Sequence, residues 1–172
     1  GRAIGLSGLD SCLITAKTMD PELGYVGDIT GINAQPIMDL LEKGYIPVVS
    51  TVGCDADENI YNINADTAAA EIAAALNAES LVSMTDTPGL LRDKDDPSTL
   101  ISVIDVAEIP TLIEEGVISG GMIPKVGGMV EAIANGVKKV FIIDGRLPHA
   151  ILVETLTDEG IGTMFVDKSA EA

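Results

Sequence analysis

The sequence predicts an α/β fold, a sheet sandwiched between helices, and three observations predict it. Short β-branched runs alternate with helical stretches along the chain. The runs at 46–52, 80–84 and 140–143 are largely apolar, the pattern of central strands buried on both faces. The helical stretches stop cleanly at glycines, Gly44, Gly116 and Gly136, as helices do where a left-handed residue closes the last turn.

The elements follow in order. Runs at 3–6, 13–16 and 26–32 are closely spaced and glycine-rich, which reads as antiparallel hairpins at one edge. Asn33 caps a helix with Pro36 in its first turn, ending at Gly44. The strand at 46–52 leads through an acidic loop to Asp66, which opens an alanine-rich helix over 67–76. A strand at 80–84 precedes an acidic, proline-containing excursion at 92–98 that reads as solvated. The next helix, 106–115, contains Pro110, which must kink it or mark its true start. A helix over 122–135, a strand at 140–143, a helix over 149–156 introduced by Pro148, and a strand at 163–166 complete the chain. There is no internal repeat or low-complexity linker, so one domain over 1–172 is expected.

Composition narrows the function. A formal charge of −17 disfavours nucleic acid, whose phosphates need a basic face. An aromatic content of 3% without tryptophan leaves no stacking platform, so aliphatic packing carries the core. No apolar run approaches the roughly 20 residues that span a bilayer, and the start at Gly1, Arg2, Ala3 has no signal-peptide pattern; no membrane segment is expected. The chain reads as cut from a longer one. Cys12 and Cys54 form no metal or redox motif, and free thiols point to a reducing compartment, the cytoplasm.

Three places could carry chemistry. Asn62, Asn64 and Asp66 stand at alternate positions before the alanine-rich helix. In open α/β sheets ligands gather beyond the carboxyl ends of strands, where helix amino termini offer free N–H groups; the same residue types are also the preferred helix caps. Asp86 leaves the strand at 80–84 just before Pro88 and Gly89, placed either to hold a ribose or metal-bound phosphate or simply to form the turn. Lys125 follows Gly120 and Gly121 in the first turn of a helix, where a cation opposes the dipole. It suits neutralisation of a transferring phosphoryl group, against the plain alternative of a surface lysine. No GxxxxGKS or GxxxxGKT loop occurs, so a P-loop is unsupported. The calcium-like start Asp55, Asp57, Asn59 has Ile60 where the tight-turn glycine belongs. His149 has no Ser or Cys elbow to serve.

The string Tyr61, Asn62, Ile63, Asn64, Ala65, Asp66, Thr67, Ala68, Ala69 resembles the signature of the amino-acid kinase family, nearest its N-acetylglutamate kinase branch. GYIPVV at 44–49, SGGMIPKV at 119–126, DGRLPHA at 144–150 and TDEGIGTM at 157–164 extend the resemblance to about Phe165, and their joint occurrence is specific. The resemblance implies a three-layer αβα sandwich with a mainly parallel sheet, carbamate kinase-like, of which this chain is the carboxyl-terminal, nucleotide-binding half. It implies transfer of the γ-phosphoryl group of ATP, with Mg carried by the nucleotide and no dedicated protein metal site, to the γ-carboxylate of N-acetyl-L-glutamate in arginine biosynthesis. Asn62 matches the substrate-binding Asn, Asp66 the carboxylate that orients the catalytic lysines, and Lys125 the Lys that stabilises the transition state. Asp86, Thr87, Gly89, Leu90, Val117, Ile118, Ser119 and Met122 match nucleotide-contacting stretches. Glu154, Gly160 and Gly162 match the arginine effector region of the inhibited branch.

Two departures stand out. Family members usually read SGKDG where this chain has Ser7, Gly8, Leu9, Asp10 and Ser11, so a Lys and a Gly are replaced. The family's amino-terminal half, with a second catalytic Lys, a Gly-Gly loop and a substrate-clamping Arg, is not in this sequence. The expectation is therefore an enzyme whose fragment binds ATP or ADP without turnover and associates with itself, with a regulatory, arginine-binding module as the alternative. A dinucleotide-binding Rossmann domain is disfavoured, because no GxGxxG follows a strand.

Overall fold

The computed structural model describes residues 1–157 and 160–171, and the chain divides into two compact units, Gly1–Leu76 and Asn77–Ala172. Both are α/β, the class the sequence predicts.

In the first unit, β1 (Ala3–Ser7) is followed by β2 (Ile14–Thr18), β3 (Gly27–Ile32), α1 (Gln35–Glu42), β4 (Ile46–Ser50), β5 (Val52–Cys54), β6 (Ile60–Asn62) and α2 (Ala65–Ala75). β2 and β3 pair antiparallel, as the glycine-rich spacing predicts. β1 does not join that hairpin; it runs parallel to β4, from Ala3 beside Ile46 to Ser7 beside Ser50. The run at 46–52 is accordingly two strands. After Ser50 the chain passes from the two-stranded sheet β1–β4 into a second sheet ordered β3–β2–β5–β6. Gly53 sits within 3.1 Å of Ile14 and Ala16 by the position its Cβ would take, so only a residue without a side chain crosses there without displacing neighbours. β4 is also not buried on both faces: Ile46 and Val48 are 56% and 57% exposed. Leu13, Ile14, Ile37, Tyr61, Ile63 and Ala68 form the unit's core.

In the second unit β7 (Ser80–Thr85), β8 (Val103–Asp105), α3 (Ile109–Glu114), α4 (Met122–Ala134), β9 (Lys139–Asp144), α5 (Ala150–Leu156) and β10 (Thr163–Val166) build a sheet ordered β7–β9–β10–β8. β7 runs parallel to β9 and β10 parallel to β8, while β9 and β10 are antiparallel. Of the three apolar runs expected at the centre, only β9 is central, with Val140, Ile142 and Ile143 fully buried. β7 is an edge strand. Pro110 lies in the first turn of α3 and marks its start, after a separate 3-10 turn over Val106–Glu108. α4 buries Val126, Met129 and Ile133, one stripe at helical spacing. No helix among the described residues is long and apolar enough to cross a membrane.

Candidate functional site

The second unit contains a cavity of about 270 Å³ lined by Thr87, Pro88, Gly89, Leu90, Leu91, Lys94, Val117, Ser119 and Met122. Three segments meet there: the exit of β7, the turn after α3 and the first residue of α4. Each is held by local chemistry. At the exit of β7, Thr87 donates its N–H to Thr85 Oγ1 at 3.1 Å, and that hydroxyl donates to the Thr87 carbonyl at 3.0 Å, tightening the turn. Gly89 takes φ +136°, and a Cβ there would lie 2.5 Å from Thr163 Oγ1. Its absence lets the fully buried Thr163 accept the Leu90 N–H at 2.8 Å, which ties this wall to β10 and satisfies a hydroxyl that burial would otherwise penalise.

The second wall begins where Gly116, at φ +76°, ends α3. Ile118 is fully buried and donates its N–H to the Leu112 carbonyl at 3.0 Å. Val117 and Ser119 on either side line the cavity. Ile118, although expected among the nucleotide contacts, is therefore core rather than lining. Met122 opens α4, with its N–H donated to the Ser119 carbonyl at 3.2 Å.

Asp86 is exposed and does not line the cavity. Beside it, at the ends of the paired strands β7 and β9, Thr85 stands opposite Asp144. The Asp144 carboxylate is clasped by Arg146 through Nε at 2.9 Å and Nη2 at 2.8 Å, and these bonds hold it below the usual carboxylate range. Arg146 is in turn held more firmly protonated, first by Asp144 and least by Asp86.

Lys125 is half-buried, three residues along α4 from Met122, so the two are neighbours on the helix surface. In the first unit, Asn62 ends β6 and is exposed, and Asp66 is half-buried in the first turn of α2. The helix is not capped by Asp66: Asn64 Oδ1 accepts the Thr67 N–H at 3.1 Å, the N-cap to N3 bond that an asparagine reaches most easily. Glu154 accepts the Ile161 N–H at 2.7 Å, closing the loop before β10. A Cβ at Gly162 would collide with the Ile142 carbonyl oxygen, whereas Gly160 is exposed at φ +56°. Gly162 thus serves the packing of β10 against β9. The acidic half of the TDEGIGTM block, residues 158 and 159, lies outside the described residues.

Sequence reasoning passed over Lys94. It lies within the acidic stretch read as a solvated excursion, and nothing in LRDKDDP separates a lysine on a cavity wall from one in water. The signal that could have singled it out is a lone cation among aspartates just downstream of a candidate binding turn.

Residues 1–144 match the model of the amino acid kinase family. The chain is 54% identical over 167 residues to an acetylglutamate kinase of Brachyspira hyodysenteriae, a match that covers 96% of this chain and 58% of the relative. A solved structure, smu.665 of Streptococcus mutans UA159, is 31% identical with a TM-score of 0.78 over 96% of this chain and 61% of that one. The carbamate kinase of Giardia, 16% identical with a TM-score of 0.69 over 98% of this chain and 63% of that one, shares the fold alone. The chain thus spans less than two thirds of the proteins it resembles.

Proposed function

Because the chain belongs to the amino acid kinase family, we propose that it is the ATP-binding part of an acetylglutamate kinase. In this reading the whole enzyme transfers the γ-phosphoryl group of Mg-ATP to the γ-carboxylate of N-acetyl-L-glutamate in the cytoplasm. The bond between the γ-phosphorus and the oxygen bridging to ADP breaks, and one between that phosphorus and the carboxylate oxygen forms. No protein nucleophile takes part; positioning and charge neutralisation do the work.

The observation that carries the proposal is the cavity, because six of the eight residues expected to contact nucleotide, Thr87, Gly89, Leu90, Val117, Ser119 and Met122, line it together although they come from two distant stretches of sequence. Its walls fit a nucleoside base, since an apolar cleft with a few convergent hydroxyls is how proteins enclose an uncharged, planar group. Lys125, on the same helix as Met122, supplies positive charge to the phosphoryl group as it transfers. Asp66 orients the catalytic lysines and Asn62 holds the acetylated substrate. Magnesium arrives with the nucleotide.

The chain by itself is proposed to bind Mg-ATP and Mg-ADP without turning over. Calorimetric titration of the 172-residue chain with each nucleotide, beside a coupled kinase assay on N-acetyl-L-glutamate, tests this. Saturable heat with negligible turnover is expected. An absence of saturable heat overturns the nucleotide site, and turnover at the roughly 1–1,000 per second of ordinary enzymes overturns the claim that the chain is catalytically incomplete.

A further inference from the structure

The cavity is small for the ligand proposed. Sites that enclose most of a drug-sized ligand run to roughly 300–1,000 Å³, and this one holds about 270 Å³. It has room for part of a nucleoside triphosphate, and its lining decides which part. Pro88, Leu90, Leu91, Val117 and Met122 are apolar, so the polyphosphate must lie outside. Lys94, exposed on its loop, is the one ionisable side chain in the lining.

Lys94 is held there by its loop. The excursion from β7 is pinned at its base by a bridge between Leu91 and Leu100 and by the Arg92 N–H donated to the Thr99 carbonyl at 3.1 Å. Thr99 Oγ1 adds a bond to the Asp93 carbonyl at 3.1 Å. Two of the three aspartates around the lysine are turned into the loop itself: Asp93 Oδ1 accepts the Asp95 N–H at 3.0 Å, and Asp96 Oδ1 accepts from Ser98 N and Oγ at 2.9 and 2.7 Å. Among the described residues none pairs with Lys94 or accepts a hydrogen bond from it. In a chain of charge −17, a cation left without a carboxylate partner on the wall of an apolar cavity is a group placed for an anion.

Resting on the nucleotide reading of the cavity, we infer that Lys94 is a further binding residue, one that grips the phosphate nearest the ribose. Lys94 borders the enclosed part of the ligand, whereas Lys125 stands outside the lining, beyond Met122. The two lysines therefore divide the polyphosphate, Lys94 taking the proximal phosphate and Lys125 the transferring one. The site selects nucleotides over nucleosides through Lys94 even when only one phosphate is present.

Titrations of adenosine, AMP and ATP into the wild-type chain and into Lys94→Gln, Lys94→Arg and Lys125→Gln test this. Lys94→Gln is expected to weaken AMP and ATP alike by about three- to tenfold, the span between an exposed ion pair and a charge-assisted hydrogen bond. Adenosine affinity stays within about twofold, and Lys94→Arg restores most of the loss, since a guanidinium also binds phosphate. Lys125→Gln weakens ATP more than AMP. The inference is overturned if Lys94→Gln spares AMP, or if it weakens adenosine as much as AMP, which would make the lysine's methylene chain a packing element. A wild-type chain that binds ATP while Lys94→Gln changes nothing leaves the cavity's assignment standing and removes Lys94 from it. A wild-type chain that binds no nucleotide removes both. Unchanged melting of Lys94→Gln shows that any loss is local.

Discussion

Ser11 holds a left-handed backbone at φ +52° in the turn between β1 and β2. A side chain in this region is strained by about 1–2 kcal/mol, and the turn tolerates it because both flanks are fixed. Asp10 accepts the Ser7 N–H at 2.7 Å, and Asn33 donates to the Ser11 carbonyl at 2.9 Å. Gly8 cannot vary in the same way, since a Cβ there would run into the Val52 carbonyl. Ser11→Gly is therefore expected to raise unfolding stability by about 0.5–1 kcal/mol, the released strain less glycine's greater entropy in the unfolded chain. Chemical denaturation of the two proteins decides it, and a less stable glycine variant would show that the turn is not strained. Asp55 carries a second prediction. Its carboxylate accepts the Asn59 side-chain and backbone N–H groups, the Tyr61 hydroxyl and the Asp57 N–H at 2.7–3.0 Å. Led by the Asn59 side chain, these bonds lower its pKa from 3.8 to about 2. A depressed folded-state value means that the unfolded chain takes up this proton first. The stability Asp55 confers is thus present above pH 3.8 and is lost as pH falls towards about 2. Thermal melting of wild type and Asp55→Asn should converge across that window; curves that stay parallel would show that the network contributes nothing specific.

At the scale of elements, α2 separates two roles that the sequence presents together. Three polar residues at alternate positions read equally well as caps or as a site. The structure gives the cap to Asn64 and leaves Asp66 in the first turn. Asn64→Ala should accordingly lower stability by about 0.5–2 kcal/mol, the loss of the bond that Asn64 Oδ1 accepts from the Thr67 N–H. Denaturant melts of the two proteins measure it, and an unchanged midpoint would show that this bond does not cap the helix. Helices were legible because their signals are local: Pro36 and Pro110 in first turns, and Gly44, Gly116 and Gly136 at positive φ after last turns. Strand existence was legible for β1, β2, β3, β4, β7, β9 and β10 for the same reason. Two three-residue strands, β6 and β8, were not, since so few residues show no alternation. Pairing was the least legible. The apolar content of Ile46, Val48 and Val49 predicts burial, but which strand lies beside β4 depends on residues dozens of positions away. The cavity was legible in part: its turn glycines and hydroxyls stand out locally, while Lys94 reaches the wall only because Leu91 pairs with Leu100.

At the scale of the whole molecule, the β1–β4 sheet has only two strands, so each has an edge that no described strand occupies. Ile4, Ile46 and Val48 are exposed along it, the latter two by more than half. Open edges with apolar side chains pair with other chains. The 172-residue chain should therefore self-associate at high concentration, and charge at the ribbon, as in Val48→Lys, should return it to the monomer. Sedimentation equilibrium measures both, and a wild-type chain that stays monomeric would show that the edge is protected.

The order β7–β9–β10–β8 has a consequence in time. The strand that comes last, β10, lies inside the sheet, between β9 and β8, and brings with it the fully buried Phe165. Strands β7, β8 and β9 leave the ribosome first, at about 5–20 residues per second, yet among the described residues β8 has no strand partner other than β10. The wall of the cavity that hangs from Thr163 is likewise unsupported until then. The second unit cannot close before β10 has been made, and for several seconds β8 and the β10 side of β9 present unpaired backbone that a nascent chain must shield until Val166 has emerged.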